Sequence, residues 1–176
     1  MNFSIGHLAG AEPGARDRLV NAMMELLQEK DYADITVTDL TRRAGLSRMA
    51  YYRSFSSREE VLDRFMEVMG EQIHQSLEAA GLRENARAYF EALFEALGLY
   101  ASLIRAACKA HLGEMILFHI GRYMRISFPH EEEYRLHFIA GGFYHVLIRW
   151  IQNGCGETPA EMAEICCGAL QPRVGN

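Results

Sequence analysis

Apolar residues recur at intervals of three and four along almost the whole chain, whereas a strict alternation of apolar and polar residues is nearly absent. The first pattern is typical of amphipathic α-helices, and the second would indicate β-strands. Between residues 15 and 30, one apolar stripe is formed by Leu19, Val20, Met23, Leu26 and Leu27. The sequence therefore predicts an all-α protein.

Residues that start and end helices divide this pattern into about nine helices. Thr36 and Asp39 have the spacing of a capping box, and so have Ser57 and Glu60. Gly45 is placed to adopt the left-handed conformation that closes a helix. The predicted helices cover residues 15–30, 36–45, 48–54, 57–81, 83–97, 99–110, 112–127, 131–153 and 158–170.

Composition and helix length divide the chain into three regions. Residues 1–14 contain three glycines and one proline without a helical period, which predicts a flexible N-terminal arm. Residues 15–60 hold one longer and two short helices and are expected to form one domain. Residues 61–176 are expected to form a second, helical domain.

Charge is distributed unevenly along this acidic chain, whose 176 residues carry a formal net charge of −5. Between Thr38 and Arg58 lie five arginines and only one acidic residue, Asp39. Salt screens the attraction between protein charges and DNA phosphates beyond about one Debye length. A local basic face therefore allows an acidic protein to bind DNA. The arginine-rich segment is therefore the candidate for contact with nucleic acid.

The same segment has the layout of a helix-turn-helix unit, whose second helix enters the DNA major groove. Two short helices are joined through residues 45–47 and preceded by a longer helix. Periodicity places Arg48, Met49, Tyr52 and Arg53 on the outward face of the second short helix. Five residues are spaced to pack against the first and fourth helices, namely Leu40, Ala44, Leu46, Tyr51 and Phe55.

Residues 36–62, "TVTDLTRRAGLSRMAYYRSFSSREEVL", resemble the N-terminal DNA-binding domain of TetR-family transcriptional regulators. Nine residues match the pattern of that family, namely Ala44, Gly45, Leu46, Ser47, Tyr52, Phe55, Ser57, Arg58 and Glu59. Two positions depart from it. Ala50 stands where the family often has Thr, and Ser54 where it often has His or Tyr, so two customary backbone contacts are weakened.

The resemblance implies a role for each residue of the DNA-reading surface. Tyr52 and Arg58 are expected to bind phosphates. Arg48, Met49 and Arg53 are expected to face base edges, where an arginine binds guanine through two hydrogen bonds. The DNA-binding residues, which include two on the second helix beside the groove, are Thr38, Arg42, Ser47, Arg48, Met49, Tyr52, Arg53, Ser54 and Arg58. The alternative is that these arginines only form a solvent-exposed, charged face of the helix and do not contact DNA.

Adjacent glycines lie inside the predicted helix of residues 131–153, where each costs about 1 kcal/mol relative to alanine. Close approach of another helix would explain them. This helix and the last one resemble the pair through which TetR-like proteins dimerise as a four-helix bundle, and "GGFYHVLIRWIQNG" with the following "TPAEM" resembles a subset of that family. The expected dimer interface comprises Phe138, Gly142, His145, Val146, Trp150, Met162 and Ile165. The alternative is an ordinary core helix in a monomer.

Apolar and aromatic residues between the fourth helix and the dimerising pair correspond to the effector pocket of the family. The resemblance implies that a small molecule bound there moves the fourth helix and releases DNA. The expected pocket residues are Phe90, Phe94, Leu97, Tyr100, Ile104, His111, Met115, His119 and Tyr123. The alternative is that these residues fill the core.

Other classes of site and location are disfavoured by the sequence. Cys108, His111 and Glu114 have helical ligand spacing, but Gly113 interrupts the helix and no fourth ligand is evident, so neither a metal nor another cofactor is expected. The sequence contains no recognisable motif that combines a nucleophile, a base and an orienting residue, so an enzyme is not expected. No signal peptide and no apolar run of ~18 residues are present, which predicts a cytoplasmic protein.

These observations favour a homodimeric TetR-like repressor that binds double-stranded operator DNA and is released by a small-molecule effector. The alternative is a transcriptional activator, or an interaction protein, that acts through a protein coregulator without a small-molecule pocket.

Overall fold

The structure is a computed structural model that describes residues 14–170. The predicted arm of residues 1–14 lies outside this range except for Gly14. The described residues form helices and no strands, which confirms the all-α fold. The helices are α1 (Ala15–Glu29), α2 (Val37–Ala44), α3 (Arg48–Ser54), α4 (Arg58–Ala79), α5 (Ala86–Gly98), α6 (Ala101–Lys109), α7 (Gly113–Ser127), α8 (Glu133–Gln152) and α9 (Pro159–Leu170). Short 3-10 turns occur at Tyr32–Asp34 and Leu82–Glu84.

The expected helix-starting signals operate largely as predicted. Thr36 and Asp39 form a full capping box at α2, with the Thr36 Oγ1 atom accepting a hydrogen bond from the Asp39 amide at 3.1 Å. At α4, the Ser57 hydroxyl accepts from the Glu60 amide at 3.1 Å. The Glu60 carboxylate, however, accepts from the amide of Ser56 at 2.6 Å and so reaches one residue further back than the predicted box requires.

The chain forms two compact units, and each unit consists of two separate segments of the sequence. The first unit runs to Met69 and also includes Ala106–Leu112, while the second comprises Gly70–Arg105 and the chain from Gly113 onward. Residue 60, where the sequence analysis divides the domains, lies in the first turn of α4. Helices α4 and α6 therefore each contribute to both units.

The first unit is built around α1, which packs against α2 and α3. Its large, fully buried side chains are Leu19, Met23, Ile35, Leu40, Tyr51, Phe55, Leu62, Phe65 and Met66. Four of the five stripe residues of α1 are at most 3% exposed, and Leu27 is 9% exposed. This core fixes the orientation of the two short helices, since each of them contributes buried side chains to it.

In the second unit, α5 packs along α9 and α7 packs along α8. An aromatic cluster lies in its core, where the ring of Phe94 is 5.6 Å from that of Phe143 and 5.2 Å from that of Trp150. The Trp150 indole N–H donates to the Glu157 carbonyl at 2.9 Å, so its polar atom is also satisfied. None of the helices between residues 14 and 170 is both long enough and apolar enough to cross a membrane.

Candidate nucleic-acid interface

Helix α2 is fixed by a network centred on the Asp39 carboxylate. Its Oδ2 atom accepts hydrogen bonds from Lys30 Nζ at 2.7 Å and from the Thr36 amide at 3.0 Å, and its Oδ1 atom pairs with Arg42 at 3.0 Å. The hydrogen bonds from Lys30 and Thr36 hold the pKa of Asp39 well below its ordinary value. The single acidic residue of the arginine-rich segment therefore anchors the start of α2.

The turn between α2 and α3 requires glycine. Gly45 has φ 63° and ψ 39°, the left-handed conformation predicted for it, which side chains with a Cβ disfavour. The Arg18 guanidinium of α1 donates to the carbonyls of Ala44 at 2.5 Å and Gly45 at 3.3 Å. A Cβ at position 45 would lie only 2.9 Å from that guanidinium. Arg18 is a positioning residue that the sequence analysis missed, because no local pattern connects it to a turn so distant in sequence.

Helix α3 presents the outward face that its periodicity predicts. The Ser47 hydroxyl caps the helix by accepting from the Ala50 amide at 3.1 Å. Tyr51 is fully buried, as expected for a core residue, and α3 is thereby held on its inner side. Met49 is 74% exposed and Tyr52 is 55% exposed, and both arginines of α3 are exposed as well.

The five arginines between Thr38 and Arg58 differ in whether their guanidinium groups are free to contact DNA. Arg43 pairs with Glu29 at 2.6 Å and with Glu25 at 3.2 Å on α1. Arg48 and Arg53 form no ion pair with any residue from 14 to 170. Exposed guanidinium groups without an ion pair are thus concentrated on α3, which is shorter than the arginine-rich segment from Thr38 to Arg58 that the sequence indicates.

Arg58 is directed into the protein. Its guanidinium donates to the carbonyls of Tyr32, at 3.4 Å, and Ile35, and lies 5.1 Å from the centre of the Tyr32 ring. The Tyr32 hydroxyl in turn donates to the Glu59 carboxylate at 2.8 Å, which contributes to lowering the pKa of Glu59 after the larger effect of a backbone hydrogen bond. Arg58 therefore has a structural role in this arrangement, and its phosphate contact stays a prediction.

The remaining DNA-binding candidates lie beside α3 or within it. Thr38 and Arg42 are exposed on α2. Ser54 is half-buried, and its hydroxyl donates to the Ala50 carbonyl at 2.9 Å. The hydroxyls of Ser47 and Ser54 are therefore both engaged in α3, the first as an acceptor and the second as a donor.

Most residues of the expected effector pocket lie in the second unit. Phe90, Phe94, Leu97, Tyr100 and Ile104 are buried, as is His119. Met115 and Tyr123 are half-buried. His111 belongs instead to the first unit, where it follows α6 with φ 60°. The structure thus brings Phe90 and Phe94 together around Phe143, and the centres of the Phe90 and Phe143 rings are 6.0 Å apart. His111 does not belong to the same unit as these three residues. The use of these residues as a ligand pocket stays a prediction.

The expected dimer interface divides between surface and core. Phe138 is 82% exposed and Ile165 is 50% exposed, while Gly142 and His145 are also exposed and Val146 is half-buried. Trp150 and Met162, in contrast, are each 4% exposed and belong to the core of the second unit. Trp150 follows the exposed His145 by five residues, which rotates it by about 140° away from the exposed row.

One exposed aromatic residue of α8 was missed by the sequence analysis. Tyr134 is 83% exposed and precedes Phe138 by four residues, so the two lie on the same side of the helix. That spacing was available in the sequence. Beyond the chain neighbours and the backbone of α8 itself, a Cβ atom at Gly141 or Gly142 would meet no atom of residues 14–170 within 4 Å.

Within residues 14–170, no three His, Cys, Asp or Glu side chains are grouped so that they could hold a metal ion. Cys166 is buried, and burial raises its pKa to about 11, so its thiolate form is disfavoured at neutral pH.

Two family models match the chain. The model described as "Bacterial regulatory proteins, tetR family" matches residues 19–65, which contain α2 and α3. The model described as "Transcriptional regulator C-terminal region" matches residues 84–171, which is half of the 176-residue chain.

Curated relatives are similar over part of their length. The HTH-type transcriptional regulator AlkX of Mycobacterium tuberculosis is 32% identical over 84 residues, which cover 46% of this chain and 37% of the relative. The HTH-type transcriptional regulator EthR of the same species is 31% identical over 110 residues, which cover 57% of this chain and 51% of the relative. The chain thus spans about half or less of the length of these relatives.

Solved structures of similar fold cover nearly the whole chain. The TetR family repressor AlkX from Dietzia sp. superimposes with a TM-score of 0.59 at 19% identity and covers 90% of this chain and 95% of its own. The dihydroxyacetone kinase operon activator DhaS superimposes with a TM-score of 0.63 at 14% identity and covers 89% and 93%. At these sequence identities, the two structures show a shared fold and no more.

Proposed function

The chain belongs to the TetR family of bacterial transcriptional regulators, and from this we propose that it is a homodimeric repressor that binds operator DNA and is released by a small molecule. The proposal rests chiefly on one observation. Helix α3 turns Arg48, Met49, Tyr52 and Arg53 outward, and neither of its arginines has an ion-pair partner between residues 14 and 170.

Helix α3 is suited to the major groove in length and chemistry. An α-helix with its side chains is about 10–12 Å across, and the major groove is about 12 Å wide, so the seven-residue α3 can lie within it. Arg48, Met49 and Arg53 are assigned to base edges, where an arginine that binds guanine through two hydrogen bonds contributes about 1–3 kcal/mol of discrimination. Tyr52 is assigned to a phosphate. Thr38 and Arg42 on α2 are assigned to the DNA backbone beside the groove.

Affinity requires two copies of α3, because a single short helix makes few contacts. Two copies separated by about 34 Å, or a multiple of that distance, would read a pseudo-palindromic site. We assign the contact between copies to the exposed residues Phe138, Gly142 and His145 of α8 and Ile165 of α9. The open space over Gly142 allows a partner helix to approach closely.

The second unit is proposed to receive the effector. Its aromatic core around Phe90, Phe94 and Phe143 supports a mainly apolar ligand with few polar groups. A ligand that binds the released conformation better than the DNA-bound one shifts the equilibrium only by that difference in affinity. In this scheme, residues 15–60 supply DNA recognition and residues 61–176 supply dimerisation and ligand response.

A mobility-shift assay on DNA that flanks the protein's own gene tests this function. The wild-type chain should retard at least one fragment, and binding should weaken steeply with salt because phosphate contacts release counterions. Arg48→Ala should reduce the preference for that fragment over scrambled DNA by about tenfold. The control Arg83→Ala removes an exposed arginine of the second unit and should bind like the wild type. Failure to retard any flanking fragment would refute the proposal.

A further inference from the structure

Met49 is a large apolar side chain that the first unit leaves outside its core. Of the described residues of that unit, Met49 and Tyr52 are the only large apolar residues that are exposed. The Tyr52 ring packs edge-on against the ring of the buried Tyr51, with 5.2 Å between the ring centres, and it ends in a polar hydroxyl. A single exposed apolar residue is ordinary on a protein surface. Met49, however, lies on the face that is assigned to DNA.

The first turn of α3 holds Met49 in a fixed place. The Ser47 hydroxyl caps the helix by accepting from the Ala50 amide, and both Ala50 and Tyr51 are buried. The backbone of Met49 is therefore anchored by its neighbours, while its own side chain is 74% exposed. In helix-turn-helix proteins, the N-terminal residues of the recognition helix contact base edges. As the second residue of α3, Met49 has the position of a base-reading residue.

The chemistry of a thioether restricts which base Met49 can cover favourably. Its sulfur is only a weak acceptor, and the side chain has no donor. If it covered the polar edge of a guanine, adenine or cytosine, it would displace water from that edge without replacing the lost hydrogen bonds. Among the four bases, thymine alone presents an apolar group in the major groove, its C5-methyl. The flexible, unbranched side chain of methionine can adapt its packing to that methyl group.

Two arginines with a different chemistry lie beside Met49. Arg48 precedes it, and Arg53 follows it by four residues, so Met49 and Arg53 lie on the same side of α3. Both arginines are exposed and have no ion pair with any residue from 14 to 170. Arginine binds guanine through hydrogen bonds, which Met49 cannot do. The exposed face of α3 thus combines an apolar group with two groups suited to guanine.

We propose that Met49 selects a thymine in each half-site of the operator by packing on the C5-methyl group of that base. This inference depends on the proposed function, in which α3 lies in the major groove, and it names the base that one residue of α3 selects. The selected thymine lies in the same half-site as the guanine assigned to Arg48. Selection arises because every other base would leave a polar edge unpaired beneath the methionine.

Replacement of thymine by uracil tests this selection, because the two bases differ only in the C5-methyl group. Affinity is measured by fluorescence anisotropy on the flanking DNA fragment that the wild type retards. The thymines are replaced one position at a time, symmetrically in both half-sites. Burial of one methyl group corresponds to about a fourfold change in affinity. The wild type should therefore bind about fifteenfold more weakly when the thymine that Met49 contacts is replaced in both half-sites.

Two variants assign this effect to Met49. Met49→Ala should bind thymine and uracil DNA equally at the selected position, because the shortened side chain no longer reaches the methyl group. Met49→Leu is the matched control, since it keeps an apolar side chain of similar volume and should still prefer thymine. Met49 is exposed, so neither substitution should affect folding, and thermal melting followed by circular dichroism verifies this.

The possible results separate this inference from the proposed function. If the wild type binds the fragment and no replacement of thymine by uracil weakens binding, the selection by Met49 is refuted and the proposed function stands. An equal weakening in the wild type and in Met49→Ala also refutes it, because another residue then contacts the methyl group. If the wild type retards no DNA fragment, the proposed function fails and this inference fails with it.

Discussion

Replacing Arg58 by alanine separates a structural role for this arginine from the phosphate contact that the sequence predicts. In the structure, its guanidinium donates to the carbonyls of Tyr32 and Ile35 and lies over the Tyr32 ring. The alanine variant leaves these carbonyls without that charged donor and exposes one face of the ring. We therefore expect Arg58→Ala to destabilise the first unit.

The size of the effect follows from the contacts. A hydrogen bond from a charged group contributes about 1.5–3 kcal/mol, and the 3.4 Å bond to the Tyr32 carbonyl is too long to count fully. A cation–π contact at a partly exposed site adds about 0.5–1 kcal/mol. The expected loss in free energy of unfolding is thus about 2–4 kcal/mol.

Urea unfolding followed by circular dichroism measures this loss. Arg42→Ala is a suitable control, because Arg42 is exposed and its one ion pair within residues 14–170, with Asp39, is a surface pair of the kind that contributes little to stability. Arg58→Lys should recover only part of the stability, since an ammonium group does not reproduce the planar fork of a guanidinium. The structural role would be refuted if Arg58→Ala unfolded at the wild-type urea concentration while its DNA affinity fell.

Three further substitutions test the cap, the core and the dimer face. Because the folded pKa of Asp39 lies below its ordinary 3.8, the stability that this carboxylate confers is present above pH 3.8 and is lost as pH falls through the lowered pKa. The difference in melting temperature between wild type and Asp39→Asn should shrink below pH 3.8, and a constant difference would contradict this. Phe94→Ala, at a fully buried position, should cost about 3–5 kcal/mol in urea unfolding, and a loss below about 1 kcal/mol would contradict its place in the core. Phe138→Glu should convert dimer to monomer in light scattering and weaken DNA binding, whereas an unchanged mass would exclude this face as the dimer contact.

Local signals in the sequence predicted the features that depend on neighbouring residues. The capping box of Thr36 and Asp39 and the left-handed Gly45 involve residues at most three apart, so their patterns are visible in the sequence. The outward face of α3 was predicted for the same reason, since helical periodicity alone separates Tyr51 from Tyr52. These features define the fold class and most of the candidate interface.

Features that depend on distant contacts could not be predicted in this way. Arg18 supports the turn at Gly45 from another helix, and Arg58 reaches back to Tyr32 and Ile35 across more than twenty residues. A charged residue has no local pattern that distinguishes an inward from an outward role. The family pattern directed Arg58 to a phosphate, while the contacts in the structure direct it to carbonyls.

The surface and core residues of α8 illustrate a third limit. An apolar helix pattern identifies buried faces, but it does not distinguish a face buried by the same chain from one buried by a second copy. Trp150 and Phe138 were therefore assigned to one interface, although the first is 4% exposed and the second 82% exposed. Only the packing of α8 against its neighbours separates them.

In the proposed function, α3 reads base edges in the major groove through Arg48. Methylation of guanine N7 by dimethyl sulfate tests this directly, because that atom lies in the major groove and is the acceptor that an arginine contacts. We predict that the wild type protects guanines in two half-sites of its operator, and that Arg48→Ala loses protection at one guanine in each half-site while still binding the fragment. Protection that is identical in Arg48→Ala and wild type at equal occupancy would contradict the account.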